Sequence, residues 1–190
     1  MVTPEPERRL PPVIPLRPLP QPAASAPEPF DLEELFRLYA PYVAKIGHRL
    51  LGRGDEVDDL VQDVFLAAHR GLRQLREREA IKGWLATVAV RLARRRLRRR
   101  RLWGALGLDG APDYDDIVEE GASPEQRALA ARVYRLLDRL PVEQRMAWTL
   151  RHVEGESLER VAELCRCSLA TAKRRIKAAQ DGLRHEEVAR

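Results

Sequence analysis

The sequence predicts an all-α protein made of two small helical domains. Three observations predict it. From residue 31 onward, apolar residues recur at three- and four-residue spacing in one stretch after another, which is the pattern of amphipathic helices. Residues 103–122 bring glycine and proline and interrupt that pattern, and no Lys or Arg occurs between Arg101 and Arg127. One helix, over residues 81–101, starts amphipathic and ends as a run of arginines.

Composition bounds the function. The chain has 190 residues, 44% hydrophobic and 33% charged, room for one or two globular domains with exposed helices. A net charge of +5 suits an anionic partner. No apolar run approaches membrane-spanning length, and the N-terminus lacks the apolar core of a signal peptide. The expectation is a soluble, cytoplasmic protein. The two cysteines, Cys165 and Cys167, are too close in sequence to form a disulfide framework. Two thiolates alone do not complete a zinc site, so both read as small buried or half-buried residues.

Residues 1–29 hold ten of the fourteen prolines. Proline lacks an amide donor and fixes φ, so this stretch reads as a disordered, partly polyproline-like tail. Helix formation starts at Asp31, a candidate cap. Leu32, Leu35, Phe36, Tyr39, Val43, Ile46 and Leu50 follow as a stripe. Pro41 predicts a kink or break within it, and Gly52-Arg53-Gly54 ends it.

The second helix, 55–70, buries Val57, Leu60, Val61, Val64, Phe65 and Ala68. Asp55, Glu56, Asp59, Gln62 and Asp63 lie on the opposite face. The helix dipole accounts for the acids of the first turn but not for Asp63, two turns in. Clustered carboxylates repel one another unless a cation or a basic partner meets them. A magnesium site built on Asp58, Asp59 and Asp63 lacks a matching second motif and a phosphate pocket, so no metal or other cofactor is expected.

The central helix carries Ile81, Trp84, Leu85, Val88, Ala89 and Leu92 on one face. The next positions on that face are Arg95, Arg96 and Arg99, and eight of residues 91–101 are arginine. Read by periodicity, the helix is basic on every side from Arg91 onward. An element anchored at one end and cationic all round at the other projects charge toward DNA or RNA. Trp84 is a candidate platform for an unpaired base. Residues 103–122 form an acidic linker that spans at most roughly 65–70 Å.

The second domain opens on Ser123-Pro124-Glu125-Gln126, a capping box with proline at the first helical position. Leu129, Val133, Leu136, Leu137 and Leu140 make the expected apolar face of that helix. A short helix over 142–152 follows, then a pair capped by Ser157 and Ser168 with helix-turn-helix spacing. In the last helix Leu169, Ala172, Ile176, Ala179 and Leu183 face inward. Thr171 and Arg174 face outward, flanked by Lys173, Arg175 and Lys177. That surface suits the major groove, with Arg174 placed to read a base edge and its neighbours to grip phosphates.

Together these motifs resemble an extracytoplasmic-function sigma factor, the two-domain specificity subunit of bacterial RNA polymerase. The resemblance covers about residues 31–186. Asp59-Leu60-Val61-Gln62-Asp63-Val64-Phe65 is similar to the family's region 2 motif. Gly83-Trp84-Leu85 with the arginine run is similar to its −10 segment. Leu140 through Gly155 and Ser168 through Arg175 are similar to region 4. Arg91, Arg166, Ala178 and Gln180 depart from the family pattern, where Asn, Gly and basic residues are common.

The resemblance implies a non-enzymatic initiation factor of two domains, region 2-like over 30–102 and region 4-like over 123–190. It implies that Asp55, Glu56, Asp59, Gln62 and Asp63 bind the β′ clamp of core polymerase. Trp84, Arg91, Arg94, Arg95, Arg98 and Arg99 would hold the −10 DNA. Ser168, Thr171, Lys173, Arg174, Arg175 and Lys177 would hold the −35 DNA, with region 4 also touching the β flap. An anti-sigma factor is a further partner the resemblance allows. The competing reading is an autonomous helix-turn-helix regulator.

Overall fold

The computed structural model describes residues 31–71, 78–107, 114 and 122–188. The proline-rich tail, the connection 72–77 and most of the acidic linker lie outside the described residues. Those residues form α1 (Leu32–Leu51), α2 (Gly54–Gly71), α3 (Arg78–Ala105), α4 (Pro124–Arg139), α5 (Val142–His152), α6 (Leu158–Leu164) and α7 (Leu169–Val188).

Local sequence accounts for most helix ends. The Asp31 carboxylate accepts from the Glu33 amide at 3.0 Å. Ser123 and Gln126 form the reciprocal capping box, and Ser157 and Ser168 accept from the amides of Arg160 and Thr171. Each such cap stabilises its helix by roughly 0.5–2 kcal/mol. Gly52 closes α1 at φ +71°, with its amide on the His48 carbonyl. A Cβ there would also lie 2.4 Å from the Tyr134 ring, so glycine is required both by conformation and by space. α1 runs through Pro41 as one helix, so of the kink or break expected there, no break is made. Proline removes one intrahelical hydrogen bond, and the buried residues on both sides, Leu35, Val43, Ile46 and Leu50, hold the helix to the same partners.

α1, α2 and α3 pack on one another, as do α5, α6 and α7, with α4 against α5 and α7. The two groups are not separate bodies. α5 and α6 lie on α3, and α5 also touches α1. One buried cluster joins Leu50, Leu60, Ile81 and Leu85 to Met146, Leu150, Val161 and Ile176. Each fully buried side chain of this kind is worth roughly 1.5–3 kcal/mol, so contact between the halves is a substantial part of the core. A smaller cluster gathers Tyr114, Ala131, Tyr134, Leu137, Leu140 and Ala179.

Several expected faces are corrected. In α4 the buried side is Ala131, Tyr134 and Leu137, while Leu129 is 61% exposed. Tyr134 displaces the leucine stripe because its hydroxyl reaches the His48 and Arg49 carbonyls at 3.3 and 3.0 Å. Leu169, at the first turn of α7, is 37% exposed, since helix ends lie at the rim of the core. α3 also extends past the expected linker start to Ala105.

Candidate nucleic-acid interface

The arginine run of α3 is not basic on every side. Val90, Ala93 and Leu97 are buried, so the apolar stripe rotates around the helix instead of ending, as 3.6 residues per turn requires. Helical phase then sorts the arginines into three sets. Arg96 and Arg100 flank the buried stripe on the α2 side. Arg94, Arg98 and Arg101 flank it on the side of the second half. Arg91, Arg95 and Arg99 project away from the core and are exposed.

The first set meets the acids of α2. Arg96 lies 2.5 Å from Asp63 and 3.8 Å from Asp59. Arg100 lies 3.8 Å from Glu56 and donates to the Leu51 carbonyl at 3.0 Å. Arg53 takes Asp55 at 3.0 Å, and that hydrogen bond holds the Asp55 carboxyl below its ordinary range. The chain itself therefore supplies cations for four of the five expected polymerase-binding residues. Gln62 and Asp58 remain outward and exposed. The magnesium alternative loses its ligands here, because Arg96 sits against two of the three aspartates it needs. Among the described residues no group of three His, Cys, Asp or Glu side chains is arranged to hold a metal ion.

The second set faces the other half. Arg98 lies 2.5 Å from Glu143 of α5, and Arg94 lies 3.7 Å from it. Arg94 also donates to the Cys165 carbonyl at 3.2 Å, and Arg101 donates to the Leu140 carbonyl at 2.7 Å. The expected −10 set is thus divided. Arg91, Arg95 and Arg99 form one outward ridge at i, i+4 and i+8, and no ion pair is made to them among the described residues. Arg94 is turned into the junction, and Arg98 stands at its rim, 58% exposed with its guanidinium on Glu143. Trp84 lies seven residues before Arg91, on the same side of the helix. It is half-buried, and a Cβ at Gly71 would sit 2.8 Å from its ring, so it closes the end of α2. At the far end of the ridge, Glu56, Arg96, Arg99, Arg100 and Trp103 line an open cleft of about 250 Å³.

Ser168, just before α7, and Lys173, Arg174 and Lys177 on it are exposed, and Thr171 is half-exposed, its hydroxyl 2.9 Å from Ser168 Oγ. Arg175 differs from the expectation. It turns toward Glu143, with Nη1 at 3.3 Å. The turn before α7 places Arg166 at φ +50°, a left-handed conformation normally given to glycine. Its amide and that of Cys167 close α6 on the Glu163 and Ala162 carbonyls. Cys165 is buried and Cys167 half-buried, and burial raises the Cys165 thiol to about 11, which makes it a poor nucleophile.

Sequence reasoning missed the groups that join the halves. Arg49 pairs with Glu154 at 3.2 Å, and burial raises the Glu154 carboxyl above its ordinary value. Arg160 donates to the Gly83 carbonyl at 3.0 Å. Arg145 is buried against Asp138 and the end of α1. Glu143 looks in the sequence like an ordinary first-turn acid. For Tyr134 alone a signal existed, its i+3 spacing between Ala131 and Leu137.

A helical module with an acidic face and a cationic ridge, followed by a helix-turn-helix module, defines a transcription factor of the sigma-70 class. The sequence model for Sigma-70 region 2 matches residues 35–102, and that for Sigma-70 region 4 matches residues 130–180. The chain is 31% identical over 154 residues to the ECF RNA polymerase sigma-E factor of Escherichia coli K12, covering 76% of this chain and 80% of that protein. It is also 31% identical over 157 residues to the ECF RNA polymerase sigma factor SigE of Mycolicibacterium smegmatis, covering 80% of this chain but 60% of that protein. The chain belongs to the ECF sigma factors of RNA polymerase. Its fold is similar to that of Bartonella quintana sigma factor RpoE, solved with the anti-sigma factor NepR. The TM-score is 0.60 at 24% identity, with 82% of this chain and 95% of that one covered. It is also similar to CnrH, solved with the cytosolic domain of CnrY, with a TM-score of 0.55 at 22% identity over 83% of this chain and 88% of that one.

Proposed function

We propose that this sigma factor directs core RNA polymerase to promoters through four surfaces of its own. The observation that carries the reading is the division of the arginine run. α3 pairs Arg96 and Arg100 internally and leaves Arg91, Arg95 and Arg99 as an unpartnered outward ridge on the side of Trp84. A helix that satisfies some arginines and presents others at regular spacing is suited to tracking a phosphate backbone. On this reading the ridge and Trp84 hold the opened −10 DNA, where trapping unstacked bases costs a few kcal/mol. Arg174, with Lys173 and Lys177 beside it, reads the −35 duplex. The α2 face centred on Gln62 docks on the polymerase clamp, and α4–α7 meet the flap.

Residues 30–102 then serve as region 2 and 123–190 as region 4, joined by the acidic linker 103–122, with 1–29 as an appended tail. The chain acts as a non-catalytic subunit in the cytoplasm, as a promoter-selecting subunit of RNA polymerase would. RpoE was solved with the anti-sigma factor NepR, which supports a partner of that kind here. The test is transcription in vitro with core polymerase and mapping of the start sites. Discrete starts that require this chain support the reading. Tight operator binding without polymerase, and no starts with it, would replace the reading with an autonomous regulator.

A further inference from the structure

The junction between the halves has an unusual centre. The Glu143 carboxylate, in the first turn of α5, gathers three arginines from two helices. Arg98 is 2.5 Å from Oε1, and Arg94 and Arg175 are 3.7 and 3.3 Å from Oε2. Arg94 and Arg98 come from the α3 run and Arg175 from α7, so one carboxylate holds cations of both DNA-facing helices. Helix-dipole stabilisation accounts for an acid at this position, but not for the convergence of three guanidinium groups on it. The pairing is also incompletely hydrogen-bonded. Glu143 Oε2 and Arg175 Nη1 are buried and make no hydrogen bond, so a better acceptor is favoured in exchange.

We infer that Glu143 is an internal stand-in for a DNA phosphate, a latch that holds the free chain closed, keeps Arg94 and Arg175 in the junction and occupies the guanidinium of the more exposed Arg98. The inference rests on the sigma-factor reading for the meaning of the two surfaces. Promoter elements named −10 and −35 are separated by about 25 base pairs, roughly 85 Å at about 3.4 Å per base pair. Helices whose arginines share one carboxylate cannot reach both at once. The acidic linker, at most roughly 65–70 Å long, together with the two domains gives the reach once the halves part. Binding of phosphates to the three arginines and departure of Glu143 are then one exchange of anions. The surfaces left exposed in the closed form, Arg91, Arg95 and Arg99 on α3 and Lys173, Arg174 and Lys177 on α7, are where a first contact with DNA or polymerase begins.

The test uses the full chain without polymerase. Glu143→Gln keeps the shape and removes the charge. Glu159→Gln, at an exposed position of α6, changes net charge equally and serves as the control. Binding to a fluorescent duplex of arbitrary sequence is titrated against salt. Small-angle scattering measures the size of the same proteins. The expected result is that Glu143→Gln binds about fivefold or more tighter at low salt. Its log K against log salt slope should steepen by roughly two to three, about 0.9 for each arginine released to a phosphate. Its radius of gyration should rise, and Glu159→Gln should match the wild type. Should Glu143→Gln fail to fold, Glu143→Asp keeps the charge with a shorter reach and is expected to show the same changes at reduced size. Equal affinity and slope in the folded variant, or an equal gain in the Glu159→Gln control, would overturn the latch. These measurements omit polymerase and promoter sequence, so their outcome is separable from that of the start-site experiment.

Discussion

The Arg145 guanidinium of α5 donates to the Leu51 carbonyl, 3.1 Å away at the end of α1. The same nitrogen lies 3.0 Å from the Leu50 carbonyl, and the other arm of the fork pairs with Asp138. The last carbonyls of a helix lack intrahelical donors and carry its negative end. A cation there satisfies them, and this one does so from the other half of the molecule. Arg145 is 2% exposed, and burial lowers its pKa from the ordinary arginine value.

Removing that cation leaves Asp138 and the Leu50 carbonyl without their side-chain partner, while Arg100 still donates to Leu51. Arg145→Ala is expected to destabilise the protein by about 3 kcal/mol, the lower end for a broken buried pair because Asp138 keeps some access to water. Arg145→Lys should recover less than about half of it, since one ammonium cannot reproduce the two-armed fork. Urea unfolding of the full chain measures both. A lysine variant as stable as wild type would show that charge alone matters here.

The acidic face of α2 separates into free and engaged positions. Gln62→Lys should weaken binding to core polymerase and leave thermal stability unchanged, because Gln62 is exposed. Asp63→Lys should lower both, since it sets a second cation beside Arg96, now 2.5 Å from the Asp63 carboxylate. Polymerase affinity and melting temperature, measured on each variant, distinguish them. Equal stability of the two would mean that the Arg96 pair contributes nothing in solution.

Two cationic surfaces should differ in kind. Arg174→Ala is expected to cost about 1–3 kcal/mol of discrimination at one or two −35 positions. Arg95→Ala and Arg99→Ala should weaken holoenzyme binding to every promoter alike. Each should flatten the salt dependence by roughly one unit of slope. Salt titrations on matched and mismatched −35 DNA give both quantities. A −35 preference that moved with Arg95 would contradict the division of labour.

Arg166 occupies a left-handed turn at φ +50°, which costs a non-glycine residue roughly 1–2 kcal/mol. Arg166→Gly relieves that cost and adds some unfolded-state entropy. A net gain of up to about 1 kcal/mol is expected, read as a rise in melting temperature. A loss would show that the Arg166 side chain contributes a contact worth more than the strain.

Alkaline pH probes Tyr134. Burial raises its phenol from 10.0 to about 12, because the charged phenolate loses its hydration in the core. Its folded pKa lies above the unfolded one, so its contribution is complete below pH 10 and is lost as pH rises through about 12. The sum lost is roughly 2–3 kcal/mol. Tyr134→Phe should cost about 1 kcal/mol near neutrality and show a shallower loss of stability between those limits. Equilibrium unfolding across that range, compared with wild type, provides the check.

Sequence alone determined the elements of this protein: the caps at Asp31, Ser123, Ser157 and Ser168, the turn at Gly52, the outward Arg174, the buried or half-buried cysteines and the family itself. These follow from hydrogen bonding and apolar periodicity within a few residues of chain, where spacing dictates who meets whom. The tertiary structure decided which charges are free. In a run of eight arginines every position reads alike. Only the approach of α2 and α5 turns Arg96 toward Asp63, Arg98 toward Glu143 and Arg99 toward solvent. It also decided that Leu129 is exposed while Tyr134 is buried, because the carbonyls that attract the Tyr134 hydroxyl lie some 85 residues away in sequence. Ion pairs and buried hydrogen bonds act over a few ångströms between segments far apart in the chain, and local periodicity carries no record of that distance.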